Sequence, residues 1–297
     1  MTRAGKYHLC AVDGGGTGCR AAIAGLDGTI LSRASGGPAN FATNASQAVE
    51  NVRGAVRFAA AQLGFDDTKM RGLIAHVGLA GIMTEADSLA VASQLPFDIC
   101  RVSDDREISV IGALGACDGA TIAIGTGSFV AARRGGQIRY FGGWGLSVGD
   151  QASGARLGRA LLERTLLAVD GLGEESDLTR GVLSRFGNSP AEIVAFAATA
   201  RPADYAALAP EIVQSASAGD VVGQALMTCG AHYLNAALAA SGLRGDEVIC
   251  LIGGIGPHYT PFLAAEYRDR IRPAKGLALD GALQQARLRA EEMESQQ

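Results

Sequence analysis

The sequence lacks the features that mark most secreted, membrane-spanning and nucleic-acid-binding proteins. It contains no apolar run long enough to cross a bilayer, and residues 1–8 carry no apolar segment typical of a signal peptide. Lysine and arginine form no dense cluster, the net charge is −4, and the cysteines occur without a CxxC pair or metal-ligand spacing. We therefore expect a cytoplasmic protein with reduced cysteines that binds neither nucleic acid nor membrane.

Aromatic residues and proline are also scarce, whereas glycine is abundant. Aromatics make up 5% of the chain, with a single tryptophan, and there are 8 prolines against 41 glycines. With 48% hydrophobic and 19% charged residues, the composition is typical of a folded chain rich in tight turns rather than a disordered one. Its 297 residues suffice for about two domains of ordinary size.

One pattern, a strand followed by a loop of small residues and a hairpin, occurs in each half of the chain. The first copy is predicted over Tyr7–Val12, Asp13–Thr17, Arg20–Leu26 and Thr29–Ala34, and the second over Thr121–Ile124, Gly125–Ser128, Phe129–Arg134 and Gln137–Phe141. The turns are Asp27-Gly28, expected to be of type I′, and Gly135-Gly136. Together with the helices between them, these units indicate two α/β domains, which we place at 1–112 and 113–280.

The remaining elements follow from apolar periodicity and from helix-end signals. A helix is predicted to begin after Asn44 or Ser46 and to stop at Gly64. Further helices are predicted over Gln151–Val169, Asp220–Ala240 and Gly281–Glu294, and strands over Gly72–Gly78, Asp98–Val102 and Val248–Ile252.

The loop Asp13-Gly14-Gly15-Gly16-Thr17 is suited to binding phosphate. Glycines leave backbone N–H groups accessible to phosphate oxygens, Thr17 adds a hydroxyl donor, and Asp13 can hold Mg²⁺ through water. The loop opens no GxGxxG helix and no Gly-Lys-Ser/Thr follows it, so it is neither a Rossmann nor a Walker A motif. A Gly-rich β-turn without a ligand is the alternative, which the second copy of the pattern weakens.

Two further loops of small residues follow strands in the second half. Gly125-Thr126-Gly127-Ser128 is the second copy of the first loop, and phosphoryl transfer depends mainly on such positioning of a polyphosphate. Gly253-Gly254 follows a predicted strand, where missing side chains let a purine or ribose lie against the backbone. A helix-entry turn is the alternative there.

Several polar or aromatic residues are candidates for contact with an acceptor substrate. Asp104 and Asp105 follow a predicted strand, and phosphorylation of a hydroxyl needs a carboxylate to accept its proton; a solvated acidic loop is the alternative. Trp144, among glycines, can be a core residue or the wall of a sugar site. Asp150 can cap the helix that follows or accept hydrogen bonds from sugar hydroxyls. Asn40 is either a turn residue or a ligand of a hydroxyl or acetamido group.

In this order and spacing, the motifs resemble the N-acetylglucosamine kinase group of the BadF/BadG/BcrA/BcrD-type ATPases, in the actin/hexokinase superfamily. The resemblance runs from about residue 8 to residue 286 and rests on Asp13–Thr17, Gly37–Asn40, Asp105 with Gly112-Ala113, Gly125–Ser128, Gly142–Gly145, Gly149-Asp150 with Ser153-Gly154, Gly253-Gly254 and Asp280–Ala282. It implies two ribonuclease-H-like domains around a central cleft, domain closure and a homodimer. It also implies MgATP-dependent phosphorylation of an N-acetylated hexosamine at O6, and a C-terminal helix, 281–297, that packs back on the first domain.

The residues and the resemblance together give a candidate site. Asp105 is implied as the general base, with Asp104 as the alternative, and Asp13 as the Mg²⁺ residue. Contacts with ATP are expected for Gly14, Gly15, Gly16, Thr17, Gly125, Thr126, Gly127, Ser128, Gly253 and Gly254, and contacts with the sugar for Asn40, Gly143, Trp144 and Asp150. Gln151 stands where the family usually has Glu, and Phe129 where kinases of the group often have a polar residue, so both bear on the choice of sugar.

Other functions fit parts of the pattern. Glucosamine is the alternative substrate. An ATP-driven activator of a dehydratase or reductase would bind a [4Fe–4S] cluster through paired cysteines, which this chain does not offer at the expected loops. The ROK sugar kinases carry a zinc-binding cysteine-rich motif that is absent here, and a non-catalytic nucleotide or sugar sensor would not need Asp13 and Asp105.

Overall fold

The computed structural model describes residues 7–296, which form two compact units. The first unit comprises residues 7–116 and 274–296, and the second comprises Cys117–Pro273. The division expected from the sequence, at 112 and 280, lies a few residues away at each boundary. The reason is that residues beyond each expected limit bond within the first unit, as where Lys275 N donates to Ala113 O at 2.9 Å.

Two β-sheets, one in each unit, carry the repeated pattern. The strands are β1 His8–Gly14, β2 Cys19–Gly25, β3 Ile30–Gly36, β4 Ile74–Leu79, β5 Ile99–Asp104, β6 Gly119–Ile124, β7 Ser128–Arg134, β8 Gln137–Gly142 and β9 Val248–Ile252. The strand orders are β3-β2-β1-β4-β5 and β8-β7-β6-β9. In each sheet three antiparallel strands are followed by strands parallel to the first of them. This is the ribonuclease-H-like arrangement, so the predicted α/β fold class is confirmed.

Helices account for most of the remaining chain. They are α1 Ala45–Gln62, α2 Asp67–Arg71, α3 Glu85–Ala92, α4 Asp105–Leu114, α5 Gly154–Val169, α6 Asp177–Arg185, α7 Pro190–Thr199, α8 Pro202–Ala206, α9 Ala209–Ser217, α10 Val221–Ser241, α11 Ala265–Arg268 and α12 Ala278–Ser295, with a 3₁₀ helix at Gly256–Phe262. Within residues 7–296, none of these helices combines the length and the apolar character needed to cross a membrane.

The first unit buries both faces of its sheet. Helix α1 covers one face through residues such as Val52 and Val56, and α4 and α12 cover the other. Gly281 allows α12 to approach α4 closely, because a Cβ there would meet the backbone of Ile108. Strand β4, between β1 and β5, is consequently buried along its whole length, including His76.

The second unit has a larger helical layer over a smaller sheet. Ile122 and Val130 from the sheet pack in one core with Leu161 of α5 and Leu234 of α10. Tyr259 is fully buried there, and its hydroxyl donates to Ala152 O at 3.0 Å. Because burying a tyrosine hydroxyl requires a partner, this bond fixes the segment immediately before α5.

The two hairpin turns differ. Gly135 and Gly136 both have positive φ, 55° and 82°, as a two-residue type I′ turn requires. At the first hairpin only Gly28 has positive φ, 86°, and Gly25 N donates to Thr29 O, so the loop has three residues. The expectation of a type I′ turn at Asp27-Gly28 is therefore wrong. The Asp27 carboxylate accepts from Thr29 N and Oγ1, both at 2.9 Å, which favours the longer loop.

Candidate active site

The first unit gathers its predicted site residues at the carboxyl ends of β1, β4 and β5. These strands are parallel, so Asp13 at the end of β1 and Asp105 directly after β5 lie at the same sheet edge. The backbone joins the loops at this edge: Ala80 N donates to Gly14 O and Ala39 N donates to Gly15 O, each at 2.8 Å.

The glycines of the loop Asp13–Thr17 have different tasks. A Cβ at Gly14 would meet the side chains of Leu79 and Ala39, so this glycine is required for packing. Gly15 N closes the loop on a carbonyl oxygen, that of Gly18, at 2.9 Å. A Cβ at Gly16 would meet nothing within 4 Å, and Gly16 and Thr17 are exposed. The exposed part of the loop is thus the part open to a phosphate group.

Asp13 is a half-buried carboxylate with one distant cation. Arg20 Nη1 lies 3.7 Å from Asp13 Oδ2, beyond ordinary hydrogen-bond length. Burial raises the pKa of Asp13, and the charge of Arg20 opposes this rise. The carboxylate therefore keeps oxygen lone pairs for a cation or for water.

Asn40 lies in the segment that pairs with the end of β4. It forms an isolated parallel bridge with Ala80, and its Oδ1 accepts from Thr43 N at 3.1 Å. Its carbonyl oxygen accepts from Asn44 N at 3.2 Å. Asn40 is thus a turn residue, and its side-chain amide nitrogen Nδ2 has no hydrogen-bond partner among residues 7–296. The role of a turn residue and the role of a sugar ligand are therefore compatible.

Asp104 and Asp105 are adjacent but have different environments. Asp104 is the N-cap of α4: its Oδ1 accepts from Arg106 N at 2.7 Å and from Arg106 Nε at 2.8 Å. Asp105 is the first residue of the helix. Burial, and then the nearby charge and hydrogen bond of Asp104 and the charge of Asp13, raise its pKa to about 7, and Arg106 opposes the rise. Asp105 is therefore the carboxyl group suited to exchange a proton near neutral pH.

In the second unit, the loop Gly125–Ser128 leads from β6 into β7 and contacts the start of α5. Gly154 N donates to Gly125 O at 2.9 Å, and Ala155 N donates to Thr126 O at 3.2 Å. Thr126 and Gly127 are exposed, and a Cβ at Gly125 would meet nothing within 4 Å. Ser128 differs from the rest, because its Oγ is buried with no hydrogen-bond partner in the described part of the chain.

Asp150 connects this loop with the glycine-rich segment after β8. Its carboxylate accepts from the backbone N–H groups of Ser128 and Gly145, which lower its pKa, but burial dominates and the pKa is raised overall. The N-cap of α5 is Ser153, whose Oγ accepts from Arg156 N at 3.1 Å. The helix-cap role considered for Asp150 is therefore wrong: its φ is 56°, in the left-handed region, and its side chain turns to the two loops.

Trp144 and Gly143 lie in an exposed segment beside Asp150. The tryptophan is 68% exposed, so it is not a core residue. Gly143 has a positive φ of 76°, which glycine adopts at little cost. An exposed aromatic side chain in a segment that bonds to the Asp150 carboxylate through Gly145 N–H is an arrangement that suits a sugar ring with its hydroxyl groups.

A cavity of about 520 Å³ in the second unit adjoins the loops after β6 and β9. Gly125, Gly254, Ile255 and residues of α9 line it. The polar residues of the lining are Thr126, Gln214, Ser217 and His258. A Cβ at Gly254 would meet nothing within 4 Å, whereas Gly253 has φ 82° and packs on the backbone of Ile124. Gly254 borders the cavity, and Gly253 makes the turn that forms it.

Sequence patterns did not identify three further residues near these loops. Tyr233 of α10 has its pKa raised by burial and by the charge of Asp150. Arg106 neutralises Asp104, and the α9 residue Gln214 lines the cavity. None belongs to a motif, since each is an ordinary helix residue whose position near a loop depends on tertiary packing.

Comparison with known proteins places these features in a family. A glucosamine kinase from Vibrio cholerae is 32% identical over 279 residues, covering 94% of this chain and 95% of that protein. An N-acetyl-D-glucosamine kinase from Dictyostelium discoideum is 26% identical over 83% of this chain and 84% of its own. A crystal structure from Chromobacterium violaceum, provisionally assigned as an N-acetylglucosamine kinase, superposes with a TM-score of 0.85 at 31% identity, covering 94% of this chain and 98% of that one.

A family model agrees with these relatives. It matches residues 11–259, which include both glycine loops, Asp105, Asp150 and the turn at Gly253. ATP use is a property of the proteins that this model describes. The chain belongs to the BadF/BadG/BcrA/BcrD ATPase family.

Proposed function

We propose that this chain is an ATP-dependent amino-sugar kinase that transfers the γ-phosphoryl group of ATP to O6 of N-acetylglucosamine. The observation that carries the proposal is the half-buried carboxyl group of Asp105, whose pKa burial and neighbouring charges raise to about 7, at the sheet edge that also holds the glycine-rich loop Asp13–Thr17. A proton acceptor at the edge where a phosphate loop opens is what transfer to an alcohol requires.

The nucleotide contacts follow from where the glycines leave space. The adenine and ribose occupy the cavity bordered by Gly254, which lies in the size range of small-molecule sites. In the first unit the exposed backbone and hydroxyl groups of Gly16 and Thr17 are open to phosphate oxygens, and in the second unit those of Thr126 and Gly127 are. Gly14, Gly15 and Gly253 also shape the loops, and the ATP contacts expected for them and for Ser128 remain predictions.

Asp13 is the residue that would hold Mg²⁺. No group of three or more His, Cys, Asp or Glu side chains within residues 7–296 could hold a metal ion by protein ligands alone. Mg²⁺ needs no such group, because it keeps several waters and takes one or two carboxylates plus substrate phosphates. The half-buried Asp13 carboxylate, with Arg20 at 3.7 Å, fits this requirement. When bound, the ion would neutralise developing charge on the phosphates.

The candidate sugar residues offer the chemistry that binding and activating a sugar requires. Asp105 accepts the proton of the O6 hydroxyl as the new P–O bond forms, and Asp104, paired with Arg106, lies beside it. The side-chain amide nitrogen of Asn40 can donate a hydrogen bond to the sugar, and the Asp150 carboxylate can accept further hydrogen bonds from its hydroxyl groups. The exposed ring of Trp144 can pack against the sugar ring. A homodimer and a cytoplasmic location remain predictions.

The identity of the amino sugar has one specific alternative. The Vibrio cholerae relative acts on glucosamine, which favours that substrate as second candidate. Gln151 is exposed and neutral beside Asp150, so it offers no charge to an ammonium group. ADP release measured in parallel with N-acetylglucosamine, glucosamine, N-acetylmannosamine and glucose tests the proposal. We expect the highest kcat/KM with N-acetylglucosamine; a preference for glucose or no response to any sugar would overturn it.

A further inference from the structure

A buried pair of polar side chains lies in β4 and β5, close to the proposed base at the end of β5. His76, in the middle of β4, is 1% exposed, and Ser103, near the end of β5, is 5% exposed. His76 Nε2 lies 3.0 Å from Ser103 Oγ, and Ser103 Oγ lies 3.2 Å from the carbonyl oxygen of Asp104. The pair thus leads from the centre of the sheet to the peptide group that joins Asp104 to Asp105.

The directions of these two hydrogen bonds follow from the number of protons available. A carbonyl oxygen only accepts, so the single Ser103 hydroxyl proton points to Asp104 O and the Ser103 oxygen accepts from His76. His76 must then carry its proton on Nε2. Burial, with the charge of Arg101 adding to it, lowers the pKa of His76 to about 3, so the ring is neutral with one N–H. The direction is His76 to Ser103 to Asp104.

The location explains what this chain of bonds can do. Burying an imidazole in β4, where every other residue is buried and mostly apolar, costs desolvation that the single bond to Ser103 only partly offsets. What the buried pair provides is a fixed peptide group at the N-terminus of α4, because the Ser103 hydroxyl donates to the carbonyl oxygen of Asp104. The orientation of that plane sets the direction in which the Asp105 side chain leaves the backbone.

We propose that His76 and Ser103 are positioning residues for phosphoryl transfer: through the carbonyl of Asp104 they fix the peptide that orients the Asp105 carboxylate. The inference rests on the proposed function, since it assigns these residues to the base of that reaction. They touch neither substrate nor nucleotide in this scheme. Their effect therefore falls on the rate of the transfer step and not on substrate binding, because a small misplacement of a reacting group slows chemistry strongly.

The test uses Ser103→Ala, His76→Leu and His76→Gln, with Ser32→Ala as the matched control. Ser32 is a buried serine of the same unit whose hydroxyl has no partner among the described residues, so its loss removes no bond. Gln replaces the Nε2–H donor of His76, and Leu removes it. We expect Ser103→Ala and His76→Leu to lower kcat by roughly tenfold, with both KM values within twofold. His76→Gln should recover most of the rate, and Ser32→Ala should match the wild type.

A second readout needs no turnover. The N–H of Asp105 belongs to the same peptide as the Asp104 carbonyl, so its amide NMR signal should shift in Ser103→Ala and not in Ser32→Ala. If the wild type transfers no phosphate but this signal shifts, the anchoring holds and the kinase proposal fails. If the wild type is active and Ser103→Ala equals Ser32→Ala in both kcat and the Asp105 signal, the inference is wrong. Should His76→Leu not fold, Ser103→Ala and His76→Gln decide the outcome.

Discussion

Asp104 and Asp105 are adjacent, yet the Asp104 carboxylate accepts three hydrogen bonds from Arg106, at 2.7, 2.8 and 3.0 Å, whereas burial and the charge of Asp104 raise the pKa of Asp105. A carboxyl group beside another negative charge takes a proton more readily, and the charge of Asp104 is one cause of the raised pKa of Asp105. Arg106 occupies the carboxylate of Asp104, which favours Asp105 over Asp104 as the proposed base.

Replacing each carboxylate by its amide tests the assignment. Asp105→Asn keeps the shape and removes the basicity, so kcat should fall by roughly 10²–10⁴-fold, with both KM values within several-fold. Asp104→Asn should leave kcat within several-fold, because asparagine also caps helices well. Steady-state kinetics of the two variants check this. If Asp104 proved essential and Asp105 dispensable, the assignment would be reversed and the mechanism kept.

The pH dependence of kcat should follow the ionisation of Asp105. Because the base must be ionised, kcat should fall as the pH drops below about 7, the raised pKa of Asp105. The charge of Asp104 contributes to that rise, so Asp104→Asn should lower the pKa of Asp105 and move the acid limb to lower pH. Asp118→Asn, which alters a carboxylate that bonds to Gly135 N, should leave the limb in place. An unmoved limb in Asp104→Asn would contradict this reading.

A methyl group at Gly254 should separate nucleotide binding from folding. Its Cβ would meet nothing within 4 Å in the protein but would enter the cavity, so Gly254→Ala should raise the KM for ATP without lowering the Tm of the free protein. Gly245→Ala is the matched control, since a Cβ there also meets nothing. Equal KM values for ATP in the two variants would argue against the cavity as the adenine site.

Asp150 should matter for the sugar more than for ATP. Asp150→Asn keeps a residue type that tolerates its left-handed φ and keeps one acceptor, but it removes the charge. The loss of charge-assisted bonds to sugar hydroxyls costs about 1–3 kcal/mol, so the KM for sugar should rise roughly tenfold while that for ATP changes little. Asp118→Asn serves again as control. A rise in the KM for ATP alone would indicate that Asp150 acts on the loop at Ser128 instead.

Local signals in the sequence were sufficient for much of the fold. Asn44 caps α1 as expected, with its Oδ1 accepting from Gln47 N, and Gly64 takes a positive φ of 66° just after the helix. Pro190 and Pro202 stand at helix starts. These features depend on a few neighbouring residues, as caps and turns do. The hairpin at Asp27-Gly28 differed because the Asp27 carboxylate accepts a hydrogen bond from Thr29 N, which favours a loop longer than the dipeptide alone predicts.

The site was less predictable where it depends on tertiary packing. Asp13 and Gly125–Ser128 could be named because a strand-loop pattern marks them. The different environments of the Asp104 and Asp105 carboxyl groups could not be predicted, since burial and the position of Arg106 create them. The contact of Asp150 with two loops could not be predicted from the sequence either, because an Asp just before a helix is more often a cap. The pair His76–Ser103 joins two strands that are distant in the chain.

Direct detection of the product tests the central claim. Phosphorus NMR of a mixture of the protein, MgATP and N-acetylglucosamine should show one new phosphomonoester, coupled to the protons on C6, that forms in equal amount to ADP. Asp105→Asn should form it far more slowly under the same conditions. ADP that appears with inorganic phosphate and no sugar phosphate, or no nucleotide turnover with any amino sugar, would contradict the account.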